Sequence, residues 1–301
     1  MFGITILGNN SAVPAFDRHP TAQIVTLKDN LILIDCGEGT QMQIAKYRIK
    51  TSKINQILIS HLHGDHYFGL IGFLTSMSLL NREKAIHLFA PKPLEKIIQL
   101  QLDVANTSLC YPLHFHSIEQ EGLLFESNSF CIESFKTKHR IECWGFKISE
   151  KKLPRKINKE KVLEFEIPLA YYEALQKGDD YITKAGKIIF NNEVTIANTP
   201  SKTYAYCADT TYDEELIEKI KDVNLLYHET TYLKIDEQKA AKRFHSTSTQ
   251  AASIAKLANV KNLLIGHFSS KYEKLDDFLN EAVTIFENTS LTIEGVTYKV
   301  N

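Results

Sequence analysis

Residues 54–80 run an apolar, β-branched stretch, INQILIS, straight into HLHGDH and then into YFGLIGFLTSMSLL. Four chemistry-bearing side chains, His61, His63, Asp65 and His66, fall within six positions, a density that packing does not account for. The flanks predict a buried strand and an apolar helix, so the cluster sits on a strand-to-helix loop at the end of a rigid element. Imidazole and carboxylate donors together suit zinc, iron or manganese, whereas an all-oxygen set would suit calcium or magnesium. In extended backbone His61 and His63 point the same way and grip one ion, while Asp65 and His66, past the turn, grip a second. Two ions need more than four ligands, so partners must come from elsewhere in the chain.

Three candidates stand at the ends of other strand-like runs: His139 in SFKTKHR, Asp209 in YCADTT and His267 in LLIGHF. Those runs belong to a regular alternation. Strands are expected at 4–7, 22–27, 31–36, 54–60, 85–89, 112–116, 122–126, 129–137 and 142–149, with a helix over 39–49. From about 187 the pattern resumes, with strands at 203–209, 224–229 and 262–268 and helices at 213–221, 248–257 and 274–286. Both halves place strand clusters before strand–helix alternation, which predicts a single α/β domain, 1–301, of two related layers. The stretch 149–180 is charged, holds Pro154 and Pro168 and lacks sustained amphipathic period; it is expected to leave the core.

Composition narrows the setting. With 44% hydrophobic and 24% charged residues the chain is an ordinary globular protein, and no apolar run nears the roughly 20 residues that span a bilayer. MFGITILGNNSAVP reads as a first strand rather than a secretory leader, which points to the cytoplasm. Cys36, Cys110, Cys131, Cys143 and Cys207 are odd in number and contain no CxxC pair, so reduced thiols are expected rather than disulfides or a cysteine-bound metal. The net charge is −1, so a nucleic acid would have to be met by a local basic patch. Glu150–Lys161, with six basic and two acidic residues, is such a patch.

HxHxDH followed by distant His, Asp and His resembles the metallo-β-lactamase superfamily, which implies a four-layer αβ/βα sandwich with the site on one edge. More narrowly, IDCGEGTQMQI (34–44), ISHLHGDHYFGLIGFLTSMSLLNR (59–82), YHETTY (227–232) and FHSTSTQAA (244–252) resemble the short form of ribonuclease Z, the endoribonuclease that matures tRNA 3′ ends. The resemblance implies two Zn2+ per subunit, with Mn2+ or another divalent ion as a substitute. One ion would be held by His61, His63 and His139 and the other by Asp65, His66 and His267, with Asp209 bridging. Asp65 would also accept the proton of the attacking water. His245, oriented by Glu229, is the candidate donor to the leaving 3′ oxygen, since a carboxylate behind an imidazole fixes its tautomer and favours its protonated form.

The family also implies that 149–180 is a protruding arm that grips precursor tRNA, in a homodimer whose subunits share the substrate. Two departures stand out. The arm keeps Pro168 and Gly178 but has Leu, Ala and Tyr where the family favours a Gly-Pro hairpin. The family's PxKxRN loop appears as PAFDRH, with Phe16 for lysine and His19 for asparagine. Ser269, Ser270 and Lys271 of SSKY are expected beside the scissile phosphate. A small-molecule phosphodiesterase or ester hydrolase would share the site but need neither the arm nor His245. Diiron flavoprotein relatives carry glutamate where this chain has His63, and non-catalytic relatives commonly lose ligands, of which all seven are present.

Overall fold

A computed structural model describes residues 1–301. Its frame is two seven-stranded sheets. The first runs, in spatial order, Thr297–Lys299, Phe2–Gly8, Ala22–Leu27, Asn30–Ile34, Ile54–Leu58, Ile86–Ala90 and Leu113–Ser117. The second runs Thr289–Leu291, Asn262–Gly266, Leu225–Glu229, Thr203–Cys207, Trp144–Glu150, Phe130–Lys136 and Gly122–Glu126. Pairing is antiparallel from Thr297–Lys299 through to Asn30–Ile34 and parallel beyond it. In the second sheet the strands from Thr289–Leu291 to Thr203–Cys207 are parallel, and Trp144–Glu150 joins them antiparallel.

A parallel pair needs a crossover, usually helical, and each crossover helix here covers the outer face of its own sheet. Thr40–Lys46, Leu70–Leu79 and Pro93–Val104 serve the first; Leu216–Lys219, Ser248–Leu257 and Asp276–Val283 serve the second. Leu33, Ile57 and Leu88 meet Phe73, Leu74, Leu94 and Ile98 in one outer core. Ala205, Leu226 and Leu263 meet Ala252, Ala255 and Phe278 in the other. Between the sheets, Tyr206 lies in register with Phe146 and Tyr227 and stacks on both. The Tyr204 hydroxyl donates to Gln23 at 2.5 Å and that of Tyr206 to Asp35 at 2.7 Å, joining the inner faces. The layers are helix, sheet, sheet, helix: a four-layer αβ/βα sandwich.

Some elements differ from the sequence expectation. The helix expected over 67–80 is two, Gly64–Tyr67 and Leu70–Leu79, parted where a side chain on Gly69 would lie 2.2 Å from the Gly37 carbonyl. Pro93–Val104 was not anticipated, although Pro93 in the first turn and buried Leu94 and Ile98 four apart are its signal. No helix is long and apolar enough to cross a membrane.

Compact packing divides the chain into one unit of 1–127, 131–149 and 202–301 and a second of 128–130 and 150–201. The second has its own core of Val162, Ile167, Leu175, Tyr181, Ile189 and Val194. It reaches past the 149–180 read from sequence, because 187–201 does not rejoin the sheets: Ile188–Ile189 pairs with Tyr181–Ile182, and Thr195–Ile196 with Lys156–Ile157. Over 150–201 nine basic residues face eight acidic ones, so the excess of its first dozen residues is nearly cancelled.

Candidate metal centre and active site

Strand ends deliver most of the candidate residues. His61 and His63 follow Ile54–Leu58, Asp65 and His66 lie in Gly64–Tyr67, and His139 follows Phe130–Lys136. Asp209 follows Thr203–Cys207, Glu229 ends Leu225–Glu229, and His267 follows Asn262–Gly266. His245 precedes helix Ser248–Leu257, whose start is fixed by a capping box between Thr247 and Gln250. The carboxyl ends of parallel strands are where α/β sheets collect their ligands. Asp35 and His267 each turn out of a strand at φ 55° and 62°, a strained conformation for residues with side chains. Gly37 lets the loop after Asn30–Ile34 approach the cluster: a Cβ there would lie 2.4 Å from the Asp65 carbonyl. Across that gap the Cys36 amide donates to the His66 carbonyl at 2.7 Å.

All seven candidate ligands converge as two groups of donor atoms. In the first, His63 Nδ1 lies 3.0 Å from His61 Nε2 and 3.1 Å from His139 Nε2, with Asp209 Oδ2 3.6 and 3.8 Å from the latter two. In the second, Asp65 Oδ2 lies 3.5 Å from both His66 Nε2 and His267 Nε2, and Asp209 Oδ1 lies 3.4 and 3.2 Å from the same atoms. Four donors at about 2.0–2.1 Å from a common ion in tetrahedral array stand about 3.3 Å from one another, which is the spacing found. His66 Nε2, His267 Nε2 and Asp209 Oδ1 are buried without a hydrogen-bond partner. Buried polar atoms are seldom orphaned, and three of them facing one point fit a cation there. The His/Asp cluster is therefore compatible with divalent metal.

Behind the donors, each imidazole that turns Nε2 inward has an acceptor for its Nδ1–H. His61 donates to Ser60 Oγ at 3.0 Å, His66 to Asp35 Oδ2 at 2.8 Å, His139 to the Phe244 carbonyl at 2.9 Å, and His267 to Thr231 Oγ1 at 2.9 Å. Such partners fix tautomer and ring orientation. Asp35, wholly buried, also accepts from the Ser60 amide, the Ser60 hydroxyl and Tyr206, at 2.7, 2.8 and 2.7 Å. Burial and the charge of His66 lower His61 well below its ordinary range. Burial opposes protonation of His66 too, but Asp209, Asp65 and Asp35 overcome it and raise that residue. Asp35 and Thr231 were not singled out from sequence; Asp35 stands at a strand end, as the candidate ligands do, and that was the available signal.

His245 adjoins both groups. Its Nδ1 lies 3.1 Å from Glu229 Oε1, and its ring stacks on that of His267. Burial alone would lower His245, yet the charge and hydrogen bond of Glu229 raise it to about 9. Glu229 is fully buried and also accepts from the Ser246 amide at 2.8 Å and the Thr231 hydroxyl at 2.8 Å. Thr231 thus ties the carboxylate behind His245 to the ring of His267. His228 lies buried in its strand, its Nδ1 2.7 Å from the Glu229 carbonyl, and does not line the site. The donor groups open into a cavity of ≈ 600 Å³ that Asp65, His245, Arg140, Lys242, Arg243, Ser269 and Ser270 help to line.

Comparison with known proteins places this geometry. Over 302 residues the chain is 39% identical to ribonuclease Z of Bacteroides thetaiotaomicron, covering all of this chain and 96% of that one. Over 301 residues it is 40% identical to ribonuclease Z of Parabacteroides distasonis, covering 99% of each. The chain belongs to the ribonuclease Z family. It is accordingly an endoribonuclease-type hydrolase on the metallo-β-lactamase fold. The crystal structure of human tRNase Z, short form, superposes with a TM-score of 0.74 at 24% identity, over 99% of both chains, and shares the fold. Residues 2–153 also match the family model of the anti-Pycsar protein Apyc1, so that half belongs to the sequence group this model describes as well.

The PAFDRH loop, which departs from the family pattern, has a definite setting. Arg18 does not face the cavity: Nη1 donates to the Glu273 carbonyl at 2.9 Å, Nη2 to that of Tyr272 at 2.5 Å, and Nε to Asn10 at 3.0 Å. His19 pairs with Glu294 at 2.8 Å, and Phe16 stays half exposed under the Arg18 guanidinium. The anchored loop sends Ser11, Ala12 and Val13 to the cavity wall. The SSKY expectation needs one correction. Ser269 and Ser270 line the cavity, but Lys271 is turned to Asp236 at 2.6 Å and does not.

Proposed function

We propose that the chain removes the 3′ trailer of tRNA precursors, leaving a 3′-hydroxyl on the tRNA, with two divalent ions, zinc foremost, as its cofactors. His61, His63 and His139 would hold one ion and Asp65, His66 and His267 the other, with one oxygen of Asp209 turned to each. The observation that carries this reading is that division of the Asp209 carboxylate, with His245 and Glu229 alongside. When bound, such a pair of ions polarises a phosphodiester and makes water acidic enough to attack near neutral pH. Asp65, at the cavity wall, accepts the proton of the attacking water. His245, held protonated by Glu229, donates to the leaving 3′ oxygen.

Precursor tRNA is the partner, met in part by the exposed Lys152, Lys156 and Lys159 of the 149–180 arm, and the working form is a cytoplasmic homodimer. A second reading, a small-molecule phosphodiesterase or ester hydrolase, is favoured by the cavity itself, whose ≈ 600 Å³ suits a small ligand. A precursor bearing a 3′ trailer, incubated with and without chelator and mapped at single-nucleotide resolution, separates the two. Chelator-sensitive cleavage beside the discriminator base supports the first. Brisk hydrolysis of a small phosphodiester with an uncut precursor selects the second.

A further inference from the structure

The hydrogen-bond account of the centre balances for four imidazoles and fails for the fifth. His61, His66, His139 and His267 turn Nε2 inward and give Nδ1–H to an oxygen. His63 alone turns Nδ1 inward, so an ion held there would leave the proton on Nε2. The neighbour of that Nε2 is no acceptor: it is Arg140 Nη2, 3.0 Å away. A guanidinium has no lone pair to offer, so two donors would address one point at the cavity wall, and the positive charge makes an anionic oxygen the acceptor that satisfies both best. Arg140 is exposed and makes no ion pair with a protein carboxylate. Its sequence neighbour Lys138 is instead consumed by Asp213 at 2.8 Å and Glu215 at 3.0 Å. Lys242 and Arg243, also without carboxylate partners, line the same cavity, so the unneutralised cations of this region collect there.

We infer that Arg140 and the Nε2–H of His63 form a phosphate-oxygen site that positions the substrate against the metal centre. The inference rests on the phosphodiesterase chemistry proposed above, and its test separates its own failure from that of the tRNA reading. Arg140→Ala and Arg140→Lys are compared with the parent chain, with Lys138→Ala as a control for general charge. One arm measures kcat and KM of the metal-loaded enzyme for bis(p-nitrophenyl) phosphate. The other measures binding of a trailer-bearing precursor by fluorescence anisotropy over a range of salt, in a His245→Ala background that prevents cutting.

Losing a charge-assisted contact predicts about 10- to 100-fold weaker binding for Arg140→Ala. Its salt dependence should be shallower by about one phosphate contact. The KM for the small diester rises with kcat little changed, and Arg140→Lys recovers part of both losses. Unchanged KM and unchanged salt slope in Arg140→Ala overturn the site, as does an equal loss in Lys138→Ala. A raised KM in a protein that binds no precursor keeps the site and removes the tRNA reading.

Discussion

His245 makes the sharpest prediction because the proposed mechanism gives it one task. His245→Ala should lose about 10²–10⁴-fold in turnover while retaining metal content and RNA affinity, measured by elemental analysis and anisotropy. Loss of metal would make it a ligand instead. Glu229 raises His245, so on the proposed mechanism activity needs the acid form and should fall as pH rises through the raised value. Glu229→Gln removes the charge that raises it and should move the alkaline limb of the pH–rate profile to lower pH. Asp35→Asn tests the supporting contacts: with the Nδ1–H of His66 deprived of its carboxylate, metal affinity should fall about 10- to 100-fold in a competition titration. The candidate donors were legible from sequence because HLHGDH is dense and the distant candidates end apolar runs. Asp35, Thr231 and Arg140 were not, because each matters through a contact with a loop remote in sequence, and neither composition nor spacing records that pairing.

Strands were the easiest elements to read, since a buried parallel strand is a short, unbroken apolar run bounded by turn residues. The short helices of the second unit escaped notice because six residues do not establish a period, as in Lys159–Glu164 and Tyr172–Lys177. That unit is held by a core of six buried side chains, so a single large truncation should be felt throughout it. Leu175→Ala should cost about 2–5 kcal/mol. Hydrogen exchange should report that loss across 150–201, with small-diester hydrolysis retained. Equal deprotection of the sheet strands would show instead that the two units unfold together.

The repeated arrangement of strands and crossovers in the two halves made an α/β domain of two related layers readable, whereas the four-layer sandwich was implied by the family resemblance. What no local pattern conveys is that each donor group takes residues from both sheets: His61, His63, Asp65 and His66 from the first, His139, Asp209 and His267 from the second. Ions held there, as proposed, would bind the native state alone, so removing them with chelator should lower the midpoint of thermal unfolding, and adding back zinc should restore it in a concentration-dependent way. An unchanged midpoint would mean that the two sheets hold together without the ions. Asp209 carries the further consequence. One carboxylate divided between two donor groups makes their occupancies thermodynamically linked: whatever orients Oδ2 also orients Oδ1. If each group holds an ion, as proposed, the two affinities would share a coupling free energy, and a substitution confined to one group, such as at His63, would change the binding isotherm of the other.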